Sequence, residues 1–294
     1  MIFEDDVKYV IGVVLNSQEL VLESEHVVLR CQTWGDPNRP PLLALHGWLD
    51  SSSSFMPIGE LIRSHYVVAP DLVGHACSQH LPLNMLYTLE THVLVLLCML
   101  DKLNWKTFAI LGHSLGGGIG LAIAAALSSR ITHVIMLDKL GPPTLAEKSY
   151  MEQFRLNLQS RLRRSDERQV IYTSQAQAIE IRRFMSNCSE KTARLLVERD
   201  LMPVDGGFVS RSDRRLQFKS HRSITENHYQ HLLEAVTCPT LLIKAESGML
   251  KGLDLIQEAS YLRDFRRIDV AGVHHVHMDE PEHIASIINP FLNQ

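Results

Sequence analysis

Long apolar runs are missing from this 294-residue chain. No stretch reaches the roughly 20 apolar residues that a membrane-spanning helix needs, and greasy segments such as Val93 to Leu100 suit a buried helix or strand. Cysteine is scarce. Cys31, Cys77, Cys98, Cys188 and Cys238 are odd in number, far apart and free of any CxxC, which argues against a disulfide framework or a structural zinc site and for small core or boundary residues. The first residues, Met-Ile-Phe-Glu-Asp-Asp, are acidic where a secretory signal is basic, so a cytoplasmic protein without a membrane span is expected. Nothing in the chain has the basic clustering and motif structure of a nucleic-acid-binding module. Internal repeats and low-complexity linkers are absent too.

What is present is a 45% hydrophobic, 21% charged composition, enough for one large core or a core with a smaller insertion. The net charge of −4 conceals an uneven distribution. Residues 142–225 hold 16 Lys and Arg against 10 Asp and Glu, and the remainder holds 13 against 23. That shift marks a separate unit in the middle of the chain. Its arginines suit either the solvated faces of helices or an anionic ligand.

Short apolar segments alternate with helical ones, the pattern of a mostly parallel α/β sheet. Strands are expected at 41–46, 66–70, 107–111 and 131–137, with a helix from Thr88, a plausible N-cap, to Leu103 and a buried helix over 116–127. From Pro142 to Thr225 the chain turns Arg-rich and helical, with no convincing central strand. Alternation resumes with strands at 239–244 and 265–270. A closing helix over 281–292 has Ile284, Ile287, Ile288 and Phe291 on one face and Pro281 at its start. One sheet interrupted by a helical insertion accounts for this order: a core of 1–141 and 226–294, and an insertion of 142–225.

The chemistry concentrates at Gly112-His113-Ser114-Leu115-Gly116, a G-x-S-x-G lying directly between an expected strand and an expected helix. In that setting the chain turns sharply with Ser114 at the apex, and the glycines remove side chains that would clash. The helix N-terminus behind the serine favours developing negative charge. A serine hydroxyl needs a base, and the segment Val273-His274-His275-Val276-His277 supplies candidates between the last strand and the last helix. His274 comes first after the strand and is the chosen base; His275 and His277 are its rivals. An orienting carboxylate has two available positions: Asp138, ending the strand 131–137, and Glu246, just past the strand 239–244. The chain order Ser114, Asp138, His274 follows the Ser–acid–His order of this architecture. Oxyanion donors are expected from the backbone N–H groups of Leu115 and of Trp48, in His46-Gly47-Trp48-Leu49-Asp50.

Together these residues resemble the α/β-hydrolase superfamily over most of the chain, least in 142–225, where that family inserts a variable cap. Within it, the likeness is to the serine hydrolase-like protein group, carried by His46-Gly-Trp-Leu-Asp50, Gly112-His-Ser-Leu-Gly-Gly117, Leu241-Leu-Ile-Lys-Ala245 and Val276-His-Met278 through Glu280-Pro281 to Ala285-Ser-Ile-Ile288. The resemblance implies a base seven residues before the proline of the closing helix, which is His274. It also implies an acid a few residues after the strand 239–244 in many members, where this chain has Gly248. Related haloalkane dehalogenases include members whose acid follows the preceding strand, and Asp138 matches that arrangement. The implied activity is hydrolysis of a small carboxylic ester or related acyl substrate through an acyl-enzyme, with no cofactor and no metal; thioesters, lactones, amides and C–C bonds beside a ketone fall within the same machinery. Two other classes are a non-catalytic small-ligand-binding protein on this fold and a metal enzyme using His274, His275, His277 and His283. A pure binder needs neither Ser114 nor His274, and the histidine cluster lacks nearby cysteines or an HExxH helix.

Overall fold

A computed structural model describes residues 7–14, 17–24, 27–146, 149–164, 169–218 and 224–294. Its strands are β1 (Val7–Val14), β2 (Ser17–Glu23), β3 (Val28–Trp34), β4 (Pro41–Leu45), β5 (Tyr66–Pro70), β6 (Phe108–His113), β7 (Ile131–Leu137), β8 (Leu201–Val204), β9 (Gly207–Ser210), β10 (Thr240–Ser247) and β11 (Phe265–Val273). The helices are α1 (Met56–Gly59), α2 (Leu89–Leu103), α3 (Leu115–Ala126), α4 (Tyr150–Arg164), α5 (Gln175–Ser186), α6 (Glu190–Asp200), α7 (Glu226–Glu234), α8 (Ile256–Tyr261), α9 (Val276–Asp279) and α10 (Pro281–Leu292).

Nine strands form one sheet in the order β1-β2-β3-β5-β4-β6-β7-β10-β11. From β5 to β11 all neighbours are parallel, while β1, β2 and β3 run antiparallel at one edge. This is the α/β-hydrolase architecture, and every strand expected from residue 41 onward is present. The antiparallel edge was not foreseen. Its chain reverses at a turn closed by Ser24 N–H to the Val27 carbonyl, with no Gly or Pro to announce it. Helices cover both faces because parallel strands must be buried on both sides. One core layer holds Leu43, Val68, Ile110, Val134 and Leu242 with α2, α3 and α7. The other holds Leu42, Val67, Ala109, Ile135 and Ile243 with α10, whose Ile284, Ala285, Ile288 and Phe291 are buried. Thr88 caps α2 as expected, its Oγ1 accepting from Thr91 N–H at 3.2 Å.

Between β7 and β10 the chain leaves the sheet for α4, α5, α6 and the β8–β9 hairpin. The hairpin turns through Asp205-Gly206, a two-residue loop favoured because Gly206 takes φ 86°. A small core of Ala178, Ile179, Cys188, Ala193, Val197 and Leu201 holds α5, α6 and β8 together. Among the described residues, no helix is long and apolar enough to cross a membrane.

Candidate active site

The sheet's register determines which residues meet. Leu45 pairs with Gly112, Gly112 with Met136, His113 with Leu137, and Leu137 with Ile243. The C-terminal ends of β4, β6, β7 and β10 therefore lie side by side, and β11 ends beside Ser247 of β10. Loops leaving these ends share one crevice, the usual place for a ligand in an open α/β sheet.

At the end of β6 the backbone of Ser114 adopts φ 51°, ψ −114°, a conformation that costs a non-glycine residue about 1–3 kcal/mol. Neighbouring bonds hold it there: Ser114 N–H donates to the Leu137 carbonyl at 3.2 Å, and Gly117 and Gly118 N–H donate back to the Ser114 carbonyl. The turn works because Gly116 lies against β4. A Cβ on Gly116 would fall on the Leu45 carbonyl, and one on Gly112 would strike the backbone of Gly116 and Gly117. Ser114 and His274 line a common cavity of about 620 Å³, together with Trp48, Met249 and residues of α5, α6 and the β8–β9 hairpin.

His274 follows β11 directly. Its Nδ1–H donates to Asp138 Oδ2 at 2.7 Å, which leaves Nε2 as the lone-pair nitrogen. Asp138 is fully buried and follows β7 in a left-handed conformation, φ 50°. Its other contacts are backbone amides: Ala245 N–H reaches Oδ1 at 3.1 Å and Met249 N–H reaches Oδ2. A Cβ on Gly248 would land on this carboxylate. The space that a side chain at 248 would need is the space Asp138 fills from the neighbouring strand. Glu246, the other acid candidate, is exposed. Among the described residues no hydrogen bond joins Ser114 Oγ to His274. Such contacts are commonly long without substrate and tighten when it binds.

The two rival histidines are engaged elsewhere. His277 is fully buried, its Nε2 2.8 Å from Ser54 Oγ, and burial, followed by the neighbouring His113 and His275, holds its pKa well below the ordinary value. His275 turns its Nε2 to Asp50 Oδ2 at 3.3 Å. His283 is exposed on α10, so the proposed metal set of His274, His275, His277 and His283 does not converge. A different set does: Asp50, His113 and His275 place one ligand atom each within 4.8 Å of one another. Arg182 of α5 already supplies a cation there, ion-paired to Asp50 Oδ1 and donating to the Leu49 carbonyl at 2.9 Å. Burial raises the Asp50 pKa, but His275, Arg182 and His113 outweigh it and hold the carboxyl well below its usual range. Burial also lowers the His113 pKa to about 4; its ring lies between two acceptors, with Nε2 3.0 Å from the His274 carbonyl and Nδ1 3.3 Å from Asp50 Oδ2.

Sequence reasoning missed this Asp50–Arg182–His113–His275 network. Asp50 and His113 lie inside recognised motifs and His275 enters only as a rival base, while nothing in the polar helix marks Arg182 above its neighbours. It also left His46 without a role. His46 is fully buried, donates from Nδ1 to the Gly47 carbonyl at 2.8 Å and accepts Leu72 N–H at Nε2, which sets the path of the loop ahead of Trp48. Trp48 is 52% exposed and its indole N–H donates to the Leu216 carbonyl at 2.9 Å. Leu115 is the first residue of α3, where an amide has no intrahelical acceptor.

Comparison with known proteins finds the same family and fold. A family model described as alpha/beta hydrolase fold matches residues 40–281. Serine hydrolase-like protein 2 of Homo sapiens is 31% identical over 289 residues, covering 90% of each chain. The serine hydrolase-like protein of Danio rerio is 29% identical over 276 residues, covering 90% of this chain and 85% of its own. Among solved structures, the hypothetical protein PA1622 from Pseudomonas aeruginosa PAO1 superposes with TM-score 0.87 at 31% identity, over 93% of this chain and 97% of that one. A thioesterase domain from the curacin biosynthetic pathway superposes with TM-score 0.80 at 25% identity, over 92% of this chain and 98% of that one.

Proposed function

The chain belongs to the α/β-hydrolase family, and on that premise we propose that it is a serine hydrolase cleaving a small carboxylic ester or related acyl bond through an acyl-enzyme. The observation that carries this reading is the His274–Asp138 pair, bonded through Nδ1, with His274 on the wall of the cavity that Ser114 also lines. The substrate enters between the sheet and the inserted segment 142–225, which acts as a cap. Ser114 Oγ attacks the carbonyl carbon while His274 Nε2 takes its proton. Asp138 holds the imidazole in the correct tautomer and stabilises the imidazolium. The developing oxyanion is held by the amides of Trp48 and Leu115, with α3 directing its N-terminus at it. His274 returns the proton to the leaving oxygen. It then takes a proton from a water that attacks the acyl carbon, and gives that proton to Ser114 Oγ as the acyl–oxygen bond breaks, releasing the acid.

The names of the serine hydrolase-like relatives support a serine nucleophile, and the thioesterase neighbour keeps thioesters within the substrate range. The test is turnover of p-nitrophenyl esters of graded acyl length. The wild-type chain is expected to hydrolyse them, and Ser114→Ala, with an unchanged circular dichroism spectrum, is expected to lose about 10³-fold or more in kcat. Equal rates in the two proteins would refute the nucleophile.

A further inference from the structure

The cavity wall carries five formally charged side chains, and four of them are already satisfied within the protein. Arg182 and Asp50 pair with each other. Asp213 accepts from the Arg215 guanidinium and from Tyr87 Oη at 2.8 Å. Asp200 turns its oxygens toward Ser210 Oγ, Ser212 Oγ and Ser212 N–H at 2.5, 2.6 and 3.1 Å. The fifth is Arg214. Arg214 is partly buried, and among the described residues its guanidinium has neither a hydrogen bond nor an ion pair, although it sits next in sequence to a carboxylate. That carboxylate is fully engaged by Arg215 and Tyr87.

The backbone at Arg214 is held by its neighbours. It opens the short 3-10 turn Arg214–Gln217, capped by Asp213 Oδ1 accepting Arg215 N–H at 2.9 Å. The same turn gives its Leu216 carbonyl to the Trp48 indole, so it is fastened to the loop that leads into the reaction centre. A guanidinium with no partner among the described residues, belonging to a residue that lines a ligand-sized cavity, offers a planar fork of donors that matches a carboxylate or phosphate.

We propose that Arg214 is an anion subsite, and that the substrate carries a carboxylate or phosphate on the part of the molecule away from the scissile bond. This rests on the reading of Ser114 as nucleophile for its consequence in turnover, but not for binding. The experiment pairs two esters of equal chain length, p-nitrophenyl hemiglutarate and p-nitrophenyl valerate, on wild type, Arg214→Gln and Arg214→Lys. In parallel, glutarate and inorganic phosphate are titrated calorimetrically into Ser114→Ala with and without Arg214→Gln.

The wild type is expected to favour the anionic ester, Arg214→Gln to cut that kcat/KM ratio about 10- to 100-fold, and Arg214→Lys to restore part of it. The stronger of the two titrants identifies the group recognised, and its affinity is expected to fall about tenfold or more without Arg214. Anion binding that depends on Arg214 in a chain that turns over neither ester would support the subsite and remove the nucleophile. An ester ratio and anion affinities indifferent to Arg214 would overturn the proposal.

Discussion

Gly248 and Asp138 show how the absence of one side chain makes room for a carboxylate from the neighbouring strand. A carboxylate on β7 and a side chain at 248 compete for one volume, and this chain resolves the competition with an acid on one side and no side chain on the other. The resemblance made the swap readable, because an acid missing at 248 and present at 138 fits a known variant. What it could not supply was the packing reason. Six non-glycine residues among those described have positive φ. Two are asparagines closing α2 and α5, where that conformation is ordinary. Of the others, Leu49 and Ser114 line the cavity and Asp138 bonds His274. Backbone strain is therefore concentrated around the candidate site. Asp138→Asn is expected to lower kcat about 10²- to 10⁴-fold, and Gly248→Ala to lower it by displacing the same carboxylate, while Glu246→Gln leaves it near wild type. Ester kinetics on the three variants decide this; a larger loss in Glu246→Gln than in Asp138→Asn would transfer the role to Glu246.

At the scale of elements, α5 and α6 are tied to the sheet by a few polar contacts. Arg182 reaches from α5 to Asp50, Arg199 from α6 to Asp71 and Glu19, and Thr192 Oγ1 donates to Asp279 at 2.7 Å. Removing one member of a buried ion pair strands the other, at a cost of about 3–5 kcal/mol. Arg182→Met should therefore destabilise the chain by about 3 kcal/mol, and Asp50→Asn combined with it should recover part of the loss. Chemical denaturation of the two variants checks this, and a single variant as stable as wild type would show that the pair contributes nothing. The elements themselves were legible where a hydrophobic period runs uninterrupted, as in β4, β6, β7, α2 and α10. The β8–β9 hairpin went unassigned although Asp205-Gly206 is a strong turn signal, because its strands are four residues each and sit in a polar stretch. Long-range pairs such as Arg182 with Asp50 leave no periodic trace at all.

For the molecule as a whole, alternation of strands and helices around one G-x-S-x-G specified the sheet and its crevice, since a parallel sheet brings its strand ends together whatever the loops contain. That is why Ser114, Asp138 and His274, spread over 160 residues of sequence, could be placed together before any coordinates. The cavity wall was not readable in the same way, because it is assembled from an insertion whose polar helices carry many arginines and no pattern to separate Arg214 from the rest. The central claim is that Ser114 is the residue activated by this assembly. Its most direct measurement is labelling of the intact chain with a fluorophosphonate, followed by mass-spectrometric mapping of the adduct. The account predicts one phosphonylated peptide carrying the modification on Ser114, formed slowly or not at all in His274→Gln. An unlabelled chain, or an adduct on another residue that persists in Ser114→Ala, would contradict it.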